Sequence, residues 1–536
     1  MTKTLQTSVL IVGGGPVGHA LAHDLGMRSI DCVLIEQNGP KTDHPKASAI
    51  NARSMEFMRR WGLAENIRKT AAPEGFPHTA LYCTGLNGFE IARIERPGHG
   101  GKAPSKDSPE RAQRCNQLWL DPLLREAAGS HASVKIFYHC RFDSLEERST
   151  DVLAHATLLE GHDQLTVAAA YVVDCSGGHS PIKRSFGIEW EGAEQIGYHV
   201  SIFMRAPELW KYHDKGPAAL ITFVDERGAW RNLVLLDGRE LYRLGIRDKA
   251  AYDDPDGIDK EALFRKAVGR DDVPHEFIST ARWVARNVVS TGYRRGRVFM
   301  AGDAAHLNHP ASGIGLNTGL GDIWDLGWKL EAVIKGWGGS GLLDAYEPER
   351  RAVALRNVGN AQASHANDRA LKPHPEIAMD TEAGARSRKE MGETILSKQT
   401  KKFITDGIAL GYRYANSAIV CPDGTPEPIN DISVYHPTSW PGARAPHAWV
   451  SEGQSTLDLF GRGFHLLNFG GADGSALEAA LADRGAPVSS TPIDDPQIAG
   501  LYERKHVLVR PDGHVAWRGD SLPDDPVAVA DTIRGA

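Results

Sequence analysis

The sequence predicts an α/β protein of several domains, and three observations carry that prediction. Residues 8–36, "SVLIVGGGPVGHALAHDLGMRSIDCVLIE", read as strand, glycine turn, helix and strand. From about 186 to 285 strand-like segments dominate and suggest a separate sheet. Far downstream, "VFMAGDAAHLNHPASGIGLNTGLGD" (298–322) sends a second short apolar strand into a second glycine-rich loop.

The elements follow in order. Val9 to Val12 is a continuous apolar run, as expected of a strand buried on both faces. Ala20, Leu21 and Leu25 give the next helix an apolar face. Residues 52–63 form a short amphipathic helix with Met55, Met58 and Leu63 on one side. Residues 96–110 are a polar Gly/Pro/Lys loop, 116–128 a helix, and 171–178 a strand entering a turn. "HVSIFM", "AALITFV", "RNLVLL" and "LYRLGI" are the strands of the middle sheet. Residues 319–336 carry Ile323, Leu326, Leu330 and Val333 at helical spacing, and helical pattern continues to about 400. After a Pro-rich stretch (421–446), "RPDGH" is a turn between two strands, with Gly513 free to take positive φ.

Bulk properties narrow the function. The 536 residues carry a net charge of −7, which argues against a general nucleic-acid or membrane-surface binder. No apolar run approaches the roughly 20 residues that span a bilayer. The N-terminus leads directly into a strand, without a signal-peptide core. The six cysteines show no CxxC and no metal-like spacing. They read as reduced thiols of a cytoplasmic protein.

Gly13, Gly15 and Gly18 fit GxGxxG between strand and helix. The first permits the tight turn, the second lets backbone approach a pyrophosphate, and the third lets helix and strand pack closely. The helix N-terminus then offers unpaired N–H groups to phosphate. Pro16 and Val17 lie in the same loop. Glu36, with Gln37 beside it, ends the second strand, where a carboxylate accepts from ribose hydroxyls and repels a 2′-phosphate. The ligand class is FAD or NAD in a Rossmann-type domain. The second loop decides for FAD, whose ribityl chain and ring need a separate support. Asp303, after Gly302, can accept from a ribityl hydroxyl, and Gly313, Gly315 and Gly319 let backbone lie against the ring.

These residues resemble a known family, the group A flavoprotein monooxygenases or aromatic-ring hydroxylases. Its pattern GDAAHxxxPxxGxGxN is matched by Gly302, Asp303, Ala304, Ala305, His306, Pro310, Gly313, Gly315 and Asn317, with Leu316 inside it. "GDIWDLGWKLEAVIKG", "LLDAYEPERR" and "HPKASAINARSMEFMRRWGL" are similar to further family elements. "LGYRYANSAIV" and "PGARAPHAWV…LVRPDGHVAWR" resemble the subgroup with a C-terminal thioredoxin-like domain.

The resemblance implies a discontinuous FAD-binding domain, in 1–185 (with 76–112 partly in the substrate domain) and 286–420. A substrate-binding β-sheet domain takes 186–285, and a thioredoxin-like α/β domain takes 430–536. It implies noncovalent FAD, NADH or NADPH as transient reductant, and hydroxylation of a phenolic ring by O2 through a flavin C4a-hydroperoxide. It also places Gln117 on the flavin chain, Arg53 near the flavin, and Pro310 beside the ring where oxygen reacts. His306 belongs to the motif and is no metal ligand there, so no metal is expected.

The chain departs from the family at three places. Ser176 stands where an aspartate is usual, Lys46 replaces an arginine, and the C-terminal segment lacks CxxC. That segment therefore reads as structural or as an interface, with a homodimer left open. On the substrate side, Tyr198, His199, Tyr212, His213, Phe223, Trp230 and Tyr242 are candidates for holding a small aromatic substrate. The rival readings are a Baeyer–Villiger or polyketide-tailoring oxygenase of the same fold, an NAD-dependent dehydrogenase, and a non-enzymatic flavoprotein scaffold.

Overall fold

The computed structural model describes residues 2–70, 72–73, 75–95, 100, 105–310, 313–369, 374–403 and 405–536. Most of the polar loop expected at 96–110 begins outside them. Five parallel strands form the centre of the first sheet, in the order Val298–Met300, Gln164–Asp174, Thr2–Val12, Cys32–Ile35 and Val134–Phe137. Val9, Leu10 and Ile11 are wholly buried on the middle strand. Each such aliphatic side chain stabilises the fold by about 1.5–3 kcal/mol.

Register then positions the site. Val12 pairs with Asp174, and Asp174 with Met300. Three strand ends therefore finish level, and the chain after each of them emerges on one side of the sheet. Ligands of open α/β sheets bind in that crevice. The helix Pro16–Met27 leaves the first loop, and Gly315–Ile334 follows the second.

The second sheet has eight strands in the order His306–Leu307, Glu276–Ser290, Trp190–Arg205, Leu241–Arg247, Gly228–Leu235, Leu220–Asp225, Ala80–Cys83 and Glu90–Ile94. All its pairings are antiparallel except that of Leu220–Asp225 with Ala80–Cys83. The sheet thus gathers strands from outside 186–285. Its edge strand His306–Leu307 is part of the second glycine loop, which ties that loop to both sheets.

The C-terminal region runs Phe464–Phe469, Ser475–Ala482, Val488–Ile493, Pro496–Tyr502, His506–Val509, Val515–Gly519 and Pro526–Ile533, a βαβαββα order of thioredoxin-like type. Trp328 and Ala332 of the helix Gly315–Ile334 pack into its core with Phe464, Leu477 and Ala516. The turn at 510–514 joins its last two strands as expected, with Gly513 at φ 83°. No helix of the described residues is long and apolar enough to cross a membrane.

Candidate active site

The first loop is closed by contacts that only glycine allows. A Cβ on Gly13 (φ 111°) would lie 2.4 Å from the Cys175 carbonyl oxygen, and one on Gly18 would lie 2.0 Å from that of Gly13. Gly15 differs: a Cβ there would meet nothing within 4 Å. Gly15 is the N-cap of the helix and supplies no side-chain cap, so the first-turn N–H groups face open space, as an anion site requires. Glu36 is oriented by three donors. Its Oε2 accepts from the Gly14 N–H at 2.7 Å, and its Oε1 from the backbone and side chain of Asn38 at 2.8 and 2.9 Å. Gln37 beside it is exposed.

The second loop lies against the first. A Cβ on Gly319 would lie 2.8 Å from Val17 Cγ2 and 3.0 Å from Gly302 Cα, and one on Gly302 would lie 3.0 Å from the same Val17 methyl. Val17 is therefore the wedge on which the two loops meet. The helix starting at Gly315 also has no side-chain cap, and a Cβ on Gly315 would meet open space. Gly313 takes φ 63° beside Ala49. Asp303 reaches solvent from a deep position. The surrounding protein pushes its carboxyl up from the usual range, against the opposing pull of His306 and Lys46.

Several motif residues shape the loop. Asn317 accepts from the Asn51 N–H at 2.9 Å and donates to the carbonyls of Ala49 and Gly313 at 3.0 and 2.6 Å. Gln117 opens its helix with its N–H on the Ala47 carbonyl at 3.0 Å, and its buried Oε1 has no partner among the described residues. Lys46 lies on the same segment with an exposed side chain. Leu316 is half-buried and Pro310 exposed.

Arg53 is a correction. Its buried guanidinium donates to Glu56 Oε2 at 2.8 Å, to the Asp512 carbonyl at 2.9 Å and to the Tyr412 hydroxyl at 3.4 Å. It cements the C-terminal domain to the helix Ala52–Arg60. Those bonds take three of its five N–H donors, and its guanidinium lies over the Phe57 ring at 4.8 Å, so its described contacts serve the domain junction.

The substrate candidates are corrected as well, because the second sheet is covered on both sides. On one face Val200, Ile202, Phe223, Tyr242 and Leu244 form a core with Phe264 and Ala267. Tyr212 packs on that core, and Tyr198 pairs with Tyr252 at 4.9 Å on the same side. His213 follows the short helix Leu209–Tyr212 and receives the Lys215 N–H at 3.2 Å. The Trp230 side chain lies outside the described part. Of the six whose side chains are described, His199 is placed on the other face.

That other face meets the nucleotide-binding half. His44 bridges Ser279 Oγ at 2.9 Å and Ser201 Oγ at 3.0 Å, edge-on to Phe203. His199 stacks on Trp283 at 4.1 Å and lies edge-on to His309 at 5.7 Å. Arg243 stands opposite Phe203 and Val234, which pack with Leu118 and Trp119 of the helix that Gln117 begins. Burial pushes the His199 imidazole down to about 2, helped by Arg247, His309 and Arg243. Burial, then Arg243 and Lys46, push His44 to about 4. Both rings are neutral at pH 7. Arg243 has no acid partner among the described residues; desolvation lowers its pKa and its buried Nε is unpaired. This cleft face therefore favours an anionic oxygen. His44 stands two residues before Lys46, and no motif singled it out; nothing local in the sequence marks Ser201, Arg243 or Trp283.

Residues 6–361 match the FAD binding domain family, and residues 438–536 match the C-terminal domain of aromatic-ring hydroxylases. The chain belongs to the FAD-dependent aromatic-ring hydroxylase family. A putative polyketide hydroxylase of Streptomyces halstedii is 32% identical over 98% of this chain and 95% of that protein. The 4-methyl-5-nitrocatechol 5-monooxygenase of a Burkholderia species is 30% identical over 100% and 99%. The rebeccamycin biosynthetic enzyme RebC with reduced flavin superposes with a TM-score of 0.91 at 39% identity, covering 99% of each chain. The flavin-dependent monooxygenase PieE, in complex with FAD and substrate, does so at 0.90 and 30%, again covering 99% of each.

The hydroxylase is thus an FAD-dependent monooxygenase, with NAD(P)H the family's reductant, and the plain dehydrogenase and scaffold readings fall. Its residues fit FAD on their own geometry: two uncapped helix N-termini, an oriented acid at the second strand's end, and a Gln117 Oε1 without a partner among the described residues.

Proposed function

We propose that this hydroxylase adds one oxygen atom from O2 to a phenolic ring held between the His44–Arg243 face of the second sheet and the loop at 302–317. The single observation behind this reading is Arg243, a cation without an acid partner among the described residues, on a face where His44 and His199 are neutral. FAD, reduced by NAD(P)H, supplies the electrons and the activated oxygen; overall a phenol, O2, NAD(P)H and a proton give the hydroxylated phenol, NAD(P)+ and water.

The protein's share is binding and polarisation. The uncapped helix starts and Glu36 hold the ADP half, and Asp303 and Gln117 hold the ribityl chain. Arg243 donates to the substrate oxygen and favours its phenolate, which raises electron density at the ortho and para carbons. His44, between two serine hydroxyls, accepts with one ring nitrogen and donates with the other. It can pass the phenol proton along that chain without becoming charged. Phe203, Trp283 and the apolar part of the face exclude water. The phenolic ring is free-standing or part of a polycycle; proteins named for both kinds of substrate are among the relatives. The reading also places the enzyme in the cytoplasm, with no nucleic-acid or membrane partner.

The test is labelled-oxygen mass spectrometry on a phenol that stimulates NAD(P)H oxidation and on its deoxy analogue. The phenol should gain one labelled oxygen and the analogue almost none. Equal hydroxylation of both would refute the reading. Oxygen inserted between two carbons of a ketone would put a Baeyer–Villiger oxygenase in its place.

A further inference from the structure

The turn at 510–514 points into the protein. Arg510, Asp512 and His514 are each at most 1% exposed. Arg510 donates from Nη1 to Glu349 Oε1 at 2.6 Å, and from Nη2 to Glu349 Oε2 at 3.0 Å, Asp325 Oδ1 at 3.0 Å and Asp512 Oδ2 at 2.7 Å. Lys329 completes the cluster on Asp325 and Glu349 at 2.6 and 2.5 Å. The Asp512 carbonyl accepts from Trp324 Nε1 and Arg53 Nη2, both at 2.9 Å.

The next residue after Glu349 carries the contact onward. Arg350 donates from Nε to Asp322 Oδ1 at 2.9 Å, from Nη2 to the Thr318 carbonyl at 3.1 Å, and from Nη1 to the Tyr414 hydroxyl at 3.2 Å. The Tyr414 ring lies 4.3 Å from that of His514 and 5.0 Å from the Arg510 guanidinium. Asp322 Oδ2, in turn, accepts from the Gly302 N–H at 3.0 Å and from His306 Nε2 at 2.9 Å. Gly302 immediately precedes Asp303.

We propose that the Arg510–His514 turn of the C-terminal domain is a positioning element for the flavin loop. Through Glu349, Arg350 and Tyr414 it sets the Asp322 carboxylate on which Gly302 and His306 hang. The chemistry of the contact argues for this. Well-packed apolar residues would join two domains as firmly, or more so, than buried ions. What ions with two or more bonded partners add is a fixed geometry, since no member can shift without leaving a charge unpaired. A thioredoxin-like domain whose sequence holds no cysteine has no redox chemistry of its own to explain its place here. Each member of the chain is a positioning residue, acting on the cofactor through Asp322. The inference rests on the placement of the flavin at Gly302 and Asp303.

The experiment uses full-length holoenzyme. Tyr414→Phe deletes only the hydroxyl that holds Arg350, and Arg510→Met removes the fork, with Arg510→Lys as the conservative variant. Arg59→Ala is the control. It breaks an ion pair between the same two regions, Arg59 to Asp458 at 2.8 Å, away from the chain of contacts to Gly302. The readouts are FAD dissociation constant, midpoint potential and visible spectrum of the bound flavin.

Tyr414→Phe and Arg510→Met should each weaken FAD binding about tenfold and shift the spectrum and potential. Arg510→Lys should restore part of the change, and Arg59→Ala should leave all three readouts at wild type. If Arg510→Met does not fold, Tyr414→Phe decides alone. Wild-type flavin properties in Tyr414→Phe, or equal shifts in Arg59→Ala, would overturn the proposal. Asp303→Ala separates the two levels. If it leaves FAD binding intact, the placement of the flavin fails; if it weakens binding while Tyr414→Phe does not, only the positioning role fails.

Discussion

Gly319 lies on a helix, yet its substitution by alanine should act on the cofactor. The new methyl would stand 2.8 Å from Val17 Cγ2 and 3.0 Å from Gly302 Cα. Carbon atoms rest at about 3.5–4.0 Å, so the two glycine loops must part by roughly 1 Å. Such overpacking costs about 1–3 kcal/mol. Alanine also favours the helix by about 0.8–1.0 kcal/mol over glycine. The two effects partly cancel, leaving a net loss of about 0–2 kcal/mol in stability. Nothing compensates the displaced loops, so FAD affinity should fall about tenfold or more while the melting temperature of the flavin-free protein moves little. Isothermal titration of apoprotein with FAD, beside a thermal melt, measures both. Gly359→Ala is the matched control. It sits within the helix Tyr346–Arg369 with nothing within 4 Å of its Cβ position, and should gain stability with unchanged FAD affinity. Wild-type FAD affinity in Gly319→Ala would refute the packing of the two loops through Val17.

Asp303→Ala removes a charge-assisted hydrogen bond worth about 1.5–3 kcal/mol, so FAD affinity measured by titration should fall about ten- to a hundredfold with the flavin-free melt unchanged. Arg243→Met should lower kcat/KM for a phenol by a similar factor and Arg243→Lys by less; steady-state NAD(P)H oxidation at varied phenol measures this, and equal values in the methionine variant would remove Arg243 from the site. His199 has a folded pKa pushed to about 2 against an ordinary 6.5. The unfolded chain therefore binds a proton below pH 6.5 that the folded chain refuses. Stability is unaffected by this group above pH 6.5 and is lost as the pH falls from 6.5 toward about 2, by about 1.4 kcal/mol per pH unit. Urea unfolding between pH 7 and 5 should show a shallower loss in His199→Asn; an unchanged slope would show the imidazole is not held neutral.

Local constraints were legible in the sequence because each acts over a few residues. GxGxxG between an apolar run and a helical period demands one backbone path, and Gly13, Gly15 and Gly18 follow it. Glu36 follows its strand and Asp303 follows Gly302, where the local pattern puts them. Gly513 marks its turn because few other residues tolerate positive φ. The chain's texture likewise separates the parallel nucleotide-binding sheet from the second sheet. What alternation cannot tell is which face of a doubly covered sheet looks into the cleft. Phe223 and Tyr242 suit an aromatic ligand as well as a core, and only packing against Phe264 and Ala267 settles them in the core.

The helix Gly315–Ile334 shows the same limit most sharply. Its period sets Asp322, Asp325 and Lys329 apart from Ile323, Leu326 and Leu330, the pattern of a solvated polar face. All six residues are wholly buried. The polar face is covered by Arg350 and by Arg510, whose charges compensate it from 28 and 185 residues away. Pairing over such distances leaves no trace in a local window. The sequence by itself determined where the backbone must bend to receive a dinucleotide; the tertiary structure decided which charges face one another, because a buried ion is tolerable only where the whole fold brings its partner.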